Sequence, residues 1–381
     1  MVELGTLITQ AKTVRCGESN YPVFSMTMHD GLVLQDDRFK KEIASKDKSD
    51  YKVVYRNQLV ISFPIDEGVL ATQRITDVGI VSPAYGIWDV DQEKVVPEFL
   101  EYALRCERSI AYYKAKLRGS TARRRSLPTP TLLAHTVPLP SIEEQKYILD
   151  LIHKVETIIH LRQDEFRKLD ALTKARFIEM FGNPEINDMH WDEHKLSDEL
   201  SVIGGYAFKS DSFQEDGIPV LRIGNINAGV FRPINLVFWE KDDTLFKYLM
   251  YPGDLVMSLT GTVGKDDYGN VCILGSEYEM YYLNQRNAKL ELKDGLDKYY
   301  LAELLKFPQI KKRLTGISRG VRQANISNKD ILDLSVPIPP MKLQQQFADF
   351  ATQVNKSKVA VQKSLDETQL LFNSLMQKYF G

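Results

Sequence analysis

The sequence predicts an α/β (α+β) protein with two globular mixed domains in pseudo-two-fold repeat, separated by two long helices that form an antiparallel coiled coil. Three observations predict this architecture: an ordered internal repeat, short apolar runs broken by glycine, proline and asparagine, and two long segments without glycine or proline. At 381 residues the chain is long enough for two or three domains.

The internal repeat runs through the whole chain, and its matches keep their order at offsets between 196 and 201 residues. Val137-Pro-Leu-Pro140 recurs as Val336-Pro-Ile-Pro339, and Met180-Phe-Gly182 recurs as Tyr379-Phe-Gly381. The alternative is chance similarity between two unrelated domains. A series of matches in one order favours a duplication, because each repeat is then one structural unit.

Each half begins with a mixed segment. Apolar runs such as Leu59-Val-Ile-Ser-Phe63 and Leu255-Val-Met-Ser-Leu259 are bounded by turn residues, which is typical of strands. A helix is expected over Pro97–Arg108. The predicted domains are residues 1–140 and 183–339, and the predicted long helices occupy 141–182 and 340–381.

The two long segments, Ile142–Phe181 and Met341–Phe380, carry apolar stripes with a period close to seven residues. Sustained heptads are typical of coiled coils, and 40 residues make a helix about 60 Å long. We therefore expect the two helices to bury their stripes against each other. In the alternative, each helix packs on its own globular domain. The stripes consist of Ile148, Ile152, Val155, Ile159, Phe166, Leu169 and Phe177, and of Phe350, Val354, Val361, Leu365, Phe372, Leu375 and Tyr379.

Composition excludes several classes of protein. A formal net charge of −2 argues against a polycation that coats nucleic acid, and 43% hydrophobic residues are enough for real cores. Three widely spaced cysteines predict neither a disulfide framework nor a zinc site and fit a reducing cytoplasm. No signal peptide or membrane span is expected, so the sequence predicts a soluble, cytoplasmic protein without membrane partners.

Positive charge is concentrated in two aligned windows that contain no Asp or Glu, from Ser109 to Ile142 and from Leu304 to Lys329. Such windows would neutralise DNA phosphates, while Arg, Gln and Asn also read base edges in the major groove. The alternative is that they are ordinary solvated faces. The candidate DNA-binding residues are Lys114, Lys116, Arg118, Arg123, Arg124, Arg125, Lys311, Lys312, Arg313, Arg319, Arg322, Gln323 and Asn325.

Strings that resemble catalytic motifs do not have the required context. His190-Trp-Asp-Glu-His194 fits an inverted zinc-protease pattern, but it follows Gly182-Asn-Pro184 rather than lying on a helix. Gly261-Thr-Val-Gly-Lys265 has two residues between its glycines where a phosphate loop has four. The sequence also lacks methyl-donor loops and the Asn/Asp-Pro-Pro-Tyr/Phe motif of base-flipping methylases. We therefore expect no catalytic residue, no metal site and no cofactor in this chain.

The junctions between globular segments and helices resemble those of type I restriction-modification specificity subunits. Pro138-Leu-Pro-Ser-Ile-Glu-Glu-Gln145 is similar to the "PLPPLEEQ" junction of that family, and Pro337-Ile-Pro-Pro-Met-Lys-Leu-Gln344 keeps its prolines and its glutamine. The second junction departs from the pattern, because Lys342 and Leu343 replace the paired glutamates. The resemblance extends over essentially the whole chain.

That resemblance implies a non-catalytic reader of double-stranded DNA. Each target-recognition domain would bind one half of a bipartite, asymmetric target, with the helices as a ruler between them. The helices would dock two methyltransferase subunits, which modify adenine with S-adenosylmethionine, and restriction subunits would join the complex. The residues expected to dock subunits are Glu143, Glu144, Gln145 and Gln344. The alternative function is a coiled-coil scaffold that binds protein partners or nonspecific nucleic acid.

Overall fold

The computed structural model describes residues 1–28, 30–38, 47–117, 127–226, 229–262, 265, 267–316 and 323–381. The chain divides into a first unit, residues 1–163 with 363–381, and a second unit, residues 164–362. Each long helix is therefore shared between the two units.

Each repeat consists of short strands and short helices followed in the sequence by one long helix, α5 or α10. The helices are α1 (Gln35–Arg38), α2 (Pro97–Arg105), α3 (Glu107–Lys116), α4 (Thr129–Leu133), α5 (Ile142–Phe181), α6 (Leu196–Glu199), α7 (Lys298–Leu304), α8 (Pro308–Thr315), α9 (Asn328–Leu332) and α10 (Met341–Phe380). The strands of the first unit are β1 (Val2–Glu3), β2 (Ile8–Gln10), β3 (Phe24–Thr27), β4 (Gly31–Leu34), β5 (Lys52–Tyr55), β6 (Leu59–Ile61), β7 (Leu70–Thr72), β8 (Val78–Val81), β9 (Gly86–Val90) and β10 (Thr136–Val137). Those of the second unit are β11 (Glu193–Lys195), β12 (Leu200–Gly204), β13 (Ile218–Leu221), β14 (Val237–Trp239), β15 (Leu249–Met250), β16 (Leu255–Ser258), β17 (Thr260–Thr262), β18 (Val271–Ile273), β19 (Tyr281–Leu283), β20 (Asn287–Leu292), β21 (Gln323–Asn325) and β22 (Ser335–Pro337).

The main sheets of the two units have the same antiparallel topology. In the first unit the strand order is β2-β9-β6-β7, and in the second it is β12-β20-β16-β18. The short pair β1-β10 likewise corresponds to β11-β22. Matching strands occupy matching places, so the duplication predicted from scattered sequence matches is present in the fold.

The second β layer also corresponds between the units. In the second unit it is a four-stranded sheet in the order β14-β13-β19-β15, which includes a parallel pair, β13 with β19. In the first unit the antiparallel pairs β3-β4 and β5-β8 are linked by a parallel bridge between Val23 and Ile80, at the place of the parallel pair. The two copies therefore share this layer as well, with a shorter parallel link in the first unit.

The long helices begin and end where the sequence predicts, and in the second unit they pair in antiparallel direction. Phe177 of α5 lies against Phe347 of α10, with ring centroids 5.4 Å apart, while Asp170 forms an ion pair with Lys358. In the first unit, Ile148 near the start of α5 shares a core with Phe380 at the end of α10. This is the antiparallel pairing that the heptad stripes predict, and α/β domains with paired long helices are confirmed as the fold class.

The buried stripe of α10 differs from the sequence prediction at several positions. In the second unit it runs through Phe347, Ala351, Val354, Lys358 and Val361, spaced by four and three residues in turn. Phe350 of the predicted stripe is only partly buried. The lysine was missed because its side chain is charged, yet only 6% of it is exposed, whereas Asp170 is 53% exposed. A lone charged residue at a core heptad position fixes the register of paired helices at a cost in stability.

In the part of the chain that the structure describes, no helix is both long enough and apolar enough to cross a membrane.

Candidate nucleic-acid interface

The described parts of the two basic windows are the equivalent helices α3 and α8. Lys114 and Lys116 are exposed in the last turn of α3, and Lys312 and Arg313 are exposed on α8. Six of the predicted contacts lie outside the residues that the structure describes, namely Arg118, Arg123, Arg124, Arg125, Arg319 and Arg322.

Core residues determine which face of each helix is exposed. In α3 the Tyr113 side chain is fully buried, and in α8 Ile310 and Leu314 are buried on the opposite side from Lys312. Successive helical residues are rotated by about 100°, so Lys114, one position after Tyr113, and Lys312, two positions after Ile310, are turned away from these buried anchors. These exposed basic residues are therefore held on helical backbone, shortly before Gly119 and Gly316 in the sequence.

Lys311 does not share this exposure. Its residue is only 8% exposed, and its Nζ donates a hydrogen bond of 2.7 Å to Oδ1 of Asn270. The prediction placed it among the DNA contacts because sequence alone gives its charge but not the face of α8 on which it lies. In this conformation the Lys311 side chain is buried against Asn270. The exposed positive charge of α8 comes from Lys312 and Arg313.

Beside α8 the second unit has a cleft of about 590 Å³ whose lining includes Lys174 of α5 and Lys312. Lys306 is also in the lining but forms an ion pair of 3.0 Å with Glu303, and Lys174 lies 5.1 Å above the Phe307 ring. Sequence reasoning missed Lys174, because it belongs to the helix of the other repeat and only tertiary packing places it beside α8.

Strand β21 contains the other candidates of the second window. It pairs with β17, with Asn325 opposite Thr260 and Gln323 opposite Thr262, and Asn325 is exposed. Gly261 of the string Gly261-Thr-Val-Gly-Lys265 therefore lies in a strand and not in a phosphate loop that precedes a helix.

The histidine string forms a loop and a strand rather than a helix. His194 lies in β11, and its Nδ1 is 2.6 Å from Oε1 of Glu199, a hydrogen bond that raises the pKa of the imidazole. His190 has a positive φ of 55° in the preceding loop. Among the described residues, no group of three or more His, Cys, Asp or Glu side chains is arranged to hold a metal ion.

The two junction glutamines occupy equivalent buried positions. The Gln145 amide accepts a hydrogen bond of 2.8 Å from the Val96 N–H and donates to Lys94 O and Pro140 O. The Gln344 amide accepts a hydrogen bond of 2.8 Å from the Asp297 N–H and donates hydrogen bonds of 3.2 and 2.7 Å to the carbonyl oxygens of Gly295 and Pro339.

Both glutamines are fully buried, so neither reaches a partner in this conformation. Each one instead ties the start of a long helix to the loop before α2 or α7. Glu143 and Glu144 are exposed, and the predicted docking of subunits at this junction now depends on them.

The comparisons with known proteins agree on one family. Residues 189–368 match the family model of the type I restriction modification DNA specificity domain. The type I restriction enzyme MjaVIII specificity subunit of Methanocaldococcus jannaschii is 27% identical over 236 residues, which is 56% of this chain and 53% of that protein. The EcoBI specificity subunit of Escherichia coli is 27% identical over 162 residues, covering 42% of this chain and 31% of that protein. The chain thus spans about half or less of the length of these curated relatives.

A solved structure has the same fold over the whole chain. The S subunit of the type I restriction-modification system from M. genitalium is 14% identical, with a TM-score of 0.59 over 100% of this chain and 95% of that one. A chain from a structure of a type I R-M system is 17% identical, with a TM-score of 0.50 over 100% of this chain and 96% of that one.

Proposed function

Because this chain belongs to the family of type I restriction-modification specificity subunits, we propose that it selects the DNA sequence on which such a complex acts. It binds a bipartite, asymmetric double-stranded target and positions methyltransferase and restriction subunits, while it is itself non-catalytic. S-adenosylmethionine is bound by the partner methyltransferase. Three free, buried cysteines fit a cytoplasmic location.

The duplication carries this proposal. Both units have one sheet order and one exposed basic helix, α3 or α8, at the start of an acid-free window. Two such units provide one binding surface for each half of a split target. Their scaffolds match, whereas the sequences of their basic windows differ, so shared phosphate contacts combine with two different base readouts.

For the partner subunits we propose a docking face on the first-unit part of α5. Tyr147 is 59% exposed, and Ile158 and Leu161 are also exposed. Their spacings of eleven and three residues place them on one side of a helix, with Glu143 one turn before Tyr147. Large apolar side chains exposed in a row are typical of protein interfaces, and this face is our candidate for methyltransferase docking.

The first test is a map of methylated adenines. Cells that contain this chain with its methyltransferase are expected to methylate adenine within one bipartite sequence, and removal of this chain should abolish that methylation. Reintroducing the wild-type gene is the control. The purified chain alone should transfer no methyl group. A methylation pattern that survives loss of the chain, or methyl transfer by the chain free of partners, would contradict the proposal.

The second test separates phosphate contacts from base contacts. The variants Lys114→Ala/Lys116→Ala and Lys312→Ala/Arg313→Ala are expected to weaken binding to all duplexes alike, and each lost phosphate contact should reduce the salt slope by about one. We expect the same of alanine at Arg123, Arg124 and Arg125. Titration of the assembled complex at several salt concentrations measures both quantities.

The matched control for these cations is Lys356→Ala, which removes an exposed lysine from α10. The assignment fails if the variants of α3 and α8 behave like this control. The scaffold alternative predicts equal affinity for all duplexes even in the wild type, whereas a sequence reader loses about 1–3 kcal/mol for each wrong base pair.

A further inference from the structure

In the second unit, the turn between β19 and β20 lies beside the strand that carries Asn325. The Leu259 N–H donates a hydrogen bond of 2.8 Å to Arg286 O, and the Ile326 N–H donates one of 2.8 Å to Leu259 O. Asn325 itself pairs with Thr260, the residue after Leu259. Three segments that are distant in sequence therefore run side by side, with Arg286 on one side of Leu259 and Asn325 on the other.

The same turn is held from its other side by Tyr206. The Gln285 N–H donates a hydrogen bond of 2.8 Å to Tyr206 O, and the Tyr206 N–H donates one of 2.8 Å to Leu283 O. The Tyr206 ring lies against Phe208 and Tyr248, at centroid distances of 5.0 and 5.3 Å. The turn is thus fixed by backbone bonds on both sides, and its side chains project from ordered backbone.

The exposed side chains at this place have the chemistry of base readers. Gln285, Arg286 and Asn325 are exposed, and Tyr206 is 37% exposed. Within the described part of the chain, the Gln285 and Arg286 side chains form no hydrogen bond or ion pair. The neighbouring segments 204–206, 259–262, 284–286 and 325–326 contain no acidic residue. An arginine without a carboxylate partner at an ordered turn remains available to an acceptor-rich ligand.

We propose that Gln285 and Arg286 read base edges in the major groove, as one set with Asn325. This inference rests on the proposed function and extends the interface beyond the basic windows. Arginine makes two parallel hydrogen bonds to O6 and N7 of guanine, and glutamine or asparagine makes two to N6 and N7 of adenine. Side chains that are held in place before binding lose less conformational entropy when they form such pairs.

The equivalent turn of the first unit has different side chains, and this difference supports the assignment. Leu59 pairs with Trp88 as Leu255 pairs with Leu290, so Pro83 and Ala84 stand where the second unit has Gln285 and Arg286. Both of these residues are exposed. The equivalent turns therefore carry two side chains that form hydrogen bonds, an amide and a guanidinium, in the second unit and two apolar side chains in the first. Such a difference is expected where two half-sites of different sequence are read.

The test uses the full chain assembled with its methyltransferase and the target found from methylated adenines. Every base pair of both half-sites is replaced in turn, and affinities are measured across this set of duplexes. Arg286→Ala is expected to weaken binding to the target about 10- to 100-fold and to abolish discrimination at one G·C pair only. Gln285→Ala should abolish it at a neighbouring A·T pair.

Arg286→Lys distinguishes base reading from phosphate contact, because lysine keeps the charge but not the planar pair of donors. It should lose discrimination as Arg286→Ala does. The matched control is Arg167→Ala, which removes an exposed arginine from α5 that forms an ion pair with Asp164 on the same helix. Melting temperatures of all variants should equal that of the wild type, because the replaced side chains are exposed.

If Arg286→Ala weakens binding to all duplexes equally and Arg286→Lys restores it, Arg286 contacts a phosphate and the inference is overturned. The inference is also overturned if Arg286→Ala binds as the Arg167→Ala control does. The wild-type complex is measured first on the same duplexes. Equal wild-type affinity for all of them would refute the proposed function itself, and the inference would fall with it. Wild-type discrimination that survives in the variants refutes only the inference.

Discussion

Replacing Phe177 with alanine is expected to lower the free energy of unfolding of the second unit by about 3–5 kcal/mol, the usual cost of removing a buried phenyl group. The Phe177 ring is fully buried and lies 5.2 Å from Tyr300, 5.1 Å from Phe307 and 5.4 Å from Phe347. These rings come from α5, α7, the start of α8 and α10. Alanine would therefore leave a cavity where a long helix meets the globular part of the unit.

Denaturant unfolding followed by tryptophan fluorescence measures this loss. Trp191 is a suitable reporter, because its Nε1 donates a hydrogen bond of 2.9 Å to Phe181 O, at the end of the same helix. Ile178→Ala is the matched control, since Ile178 is exposed on the next position of α5 and should cost less than about 1 kcal/mol. Equal stability of the two variants would show that the aromatic cluster does not anchor the helix.

Much of this architecture is predictable from local sequence patterns. The ends of α5 and α10 follow from the absence of glycine and proline over 40 residues and from the flanking motifs. The duplication follows from ordered matches, which need no knowledge of pairing. The exposed face of α3 and of α8 was not predictable, because it depends on which residues of each helix are buried in the core.

Features that depend on distant residues could not be predicted. The neighbourhood of Leu259, Arg286 and Asn325 arises from strand pairing across tens of residues, and no local signal marks it. Lys358 is absent from the predicted stripe, which was built from apolar residues, yet it is buried in the fold and forms an ion pair with Asp170. Both cases concern partners that only the fold brings together.

The last prediction concerns Gln344, which sequence resemblance assigned to the docking of subunits and the structure places in the interior. Gln344→Leu is expected to destabilise the second unit by about 3 kcal/mol, because three hydrogen bonds of about 1 kcal/mol each are lost and the Asp297 N–H and two carbonyl groups lose their partner. Gln344→Glu should also destabilise it, since a carboxylate cannot donate to the Gly295 and Pro339 carbonyl oxygens.

Gln345→Leu is the matched control, because the adjacent glutamine is exposed and its replacement should leave stability nearly unchanged. Denaturant unfolding measures the loss, and titration of the folded variant with methyltransferase measures docking. Because the Gln344 amide is buried, the folded fraction of Gln344→Leu should dock with wild-type affinity, whereas replacing the exposed Glu143 and Glu144 with alanine should weaken docking at unchanged stability. A stable Gln344→Leu protein that no longer docks would instead place this glutamine in the subunit interface.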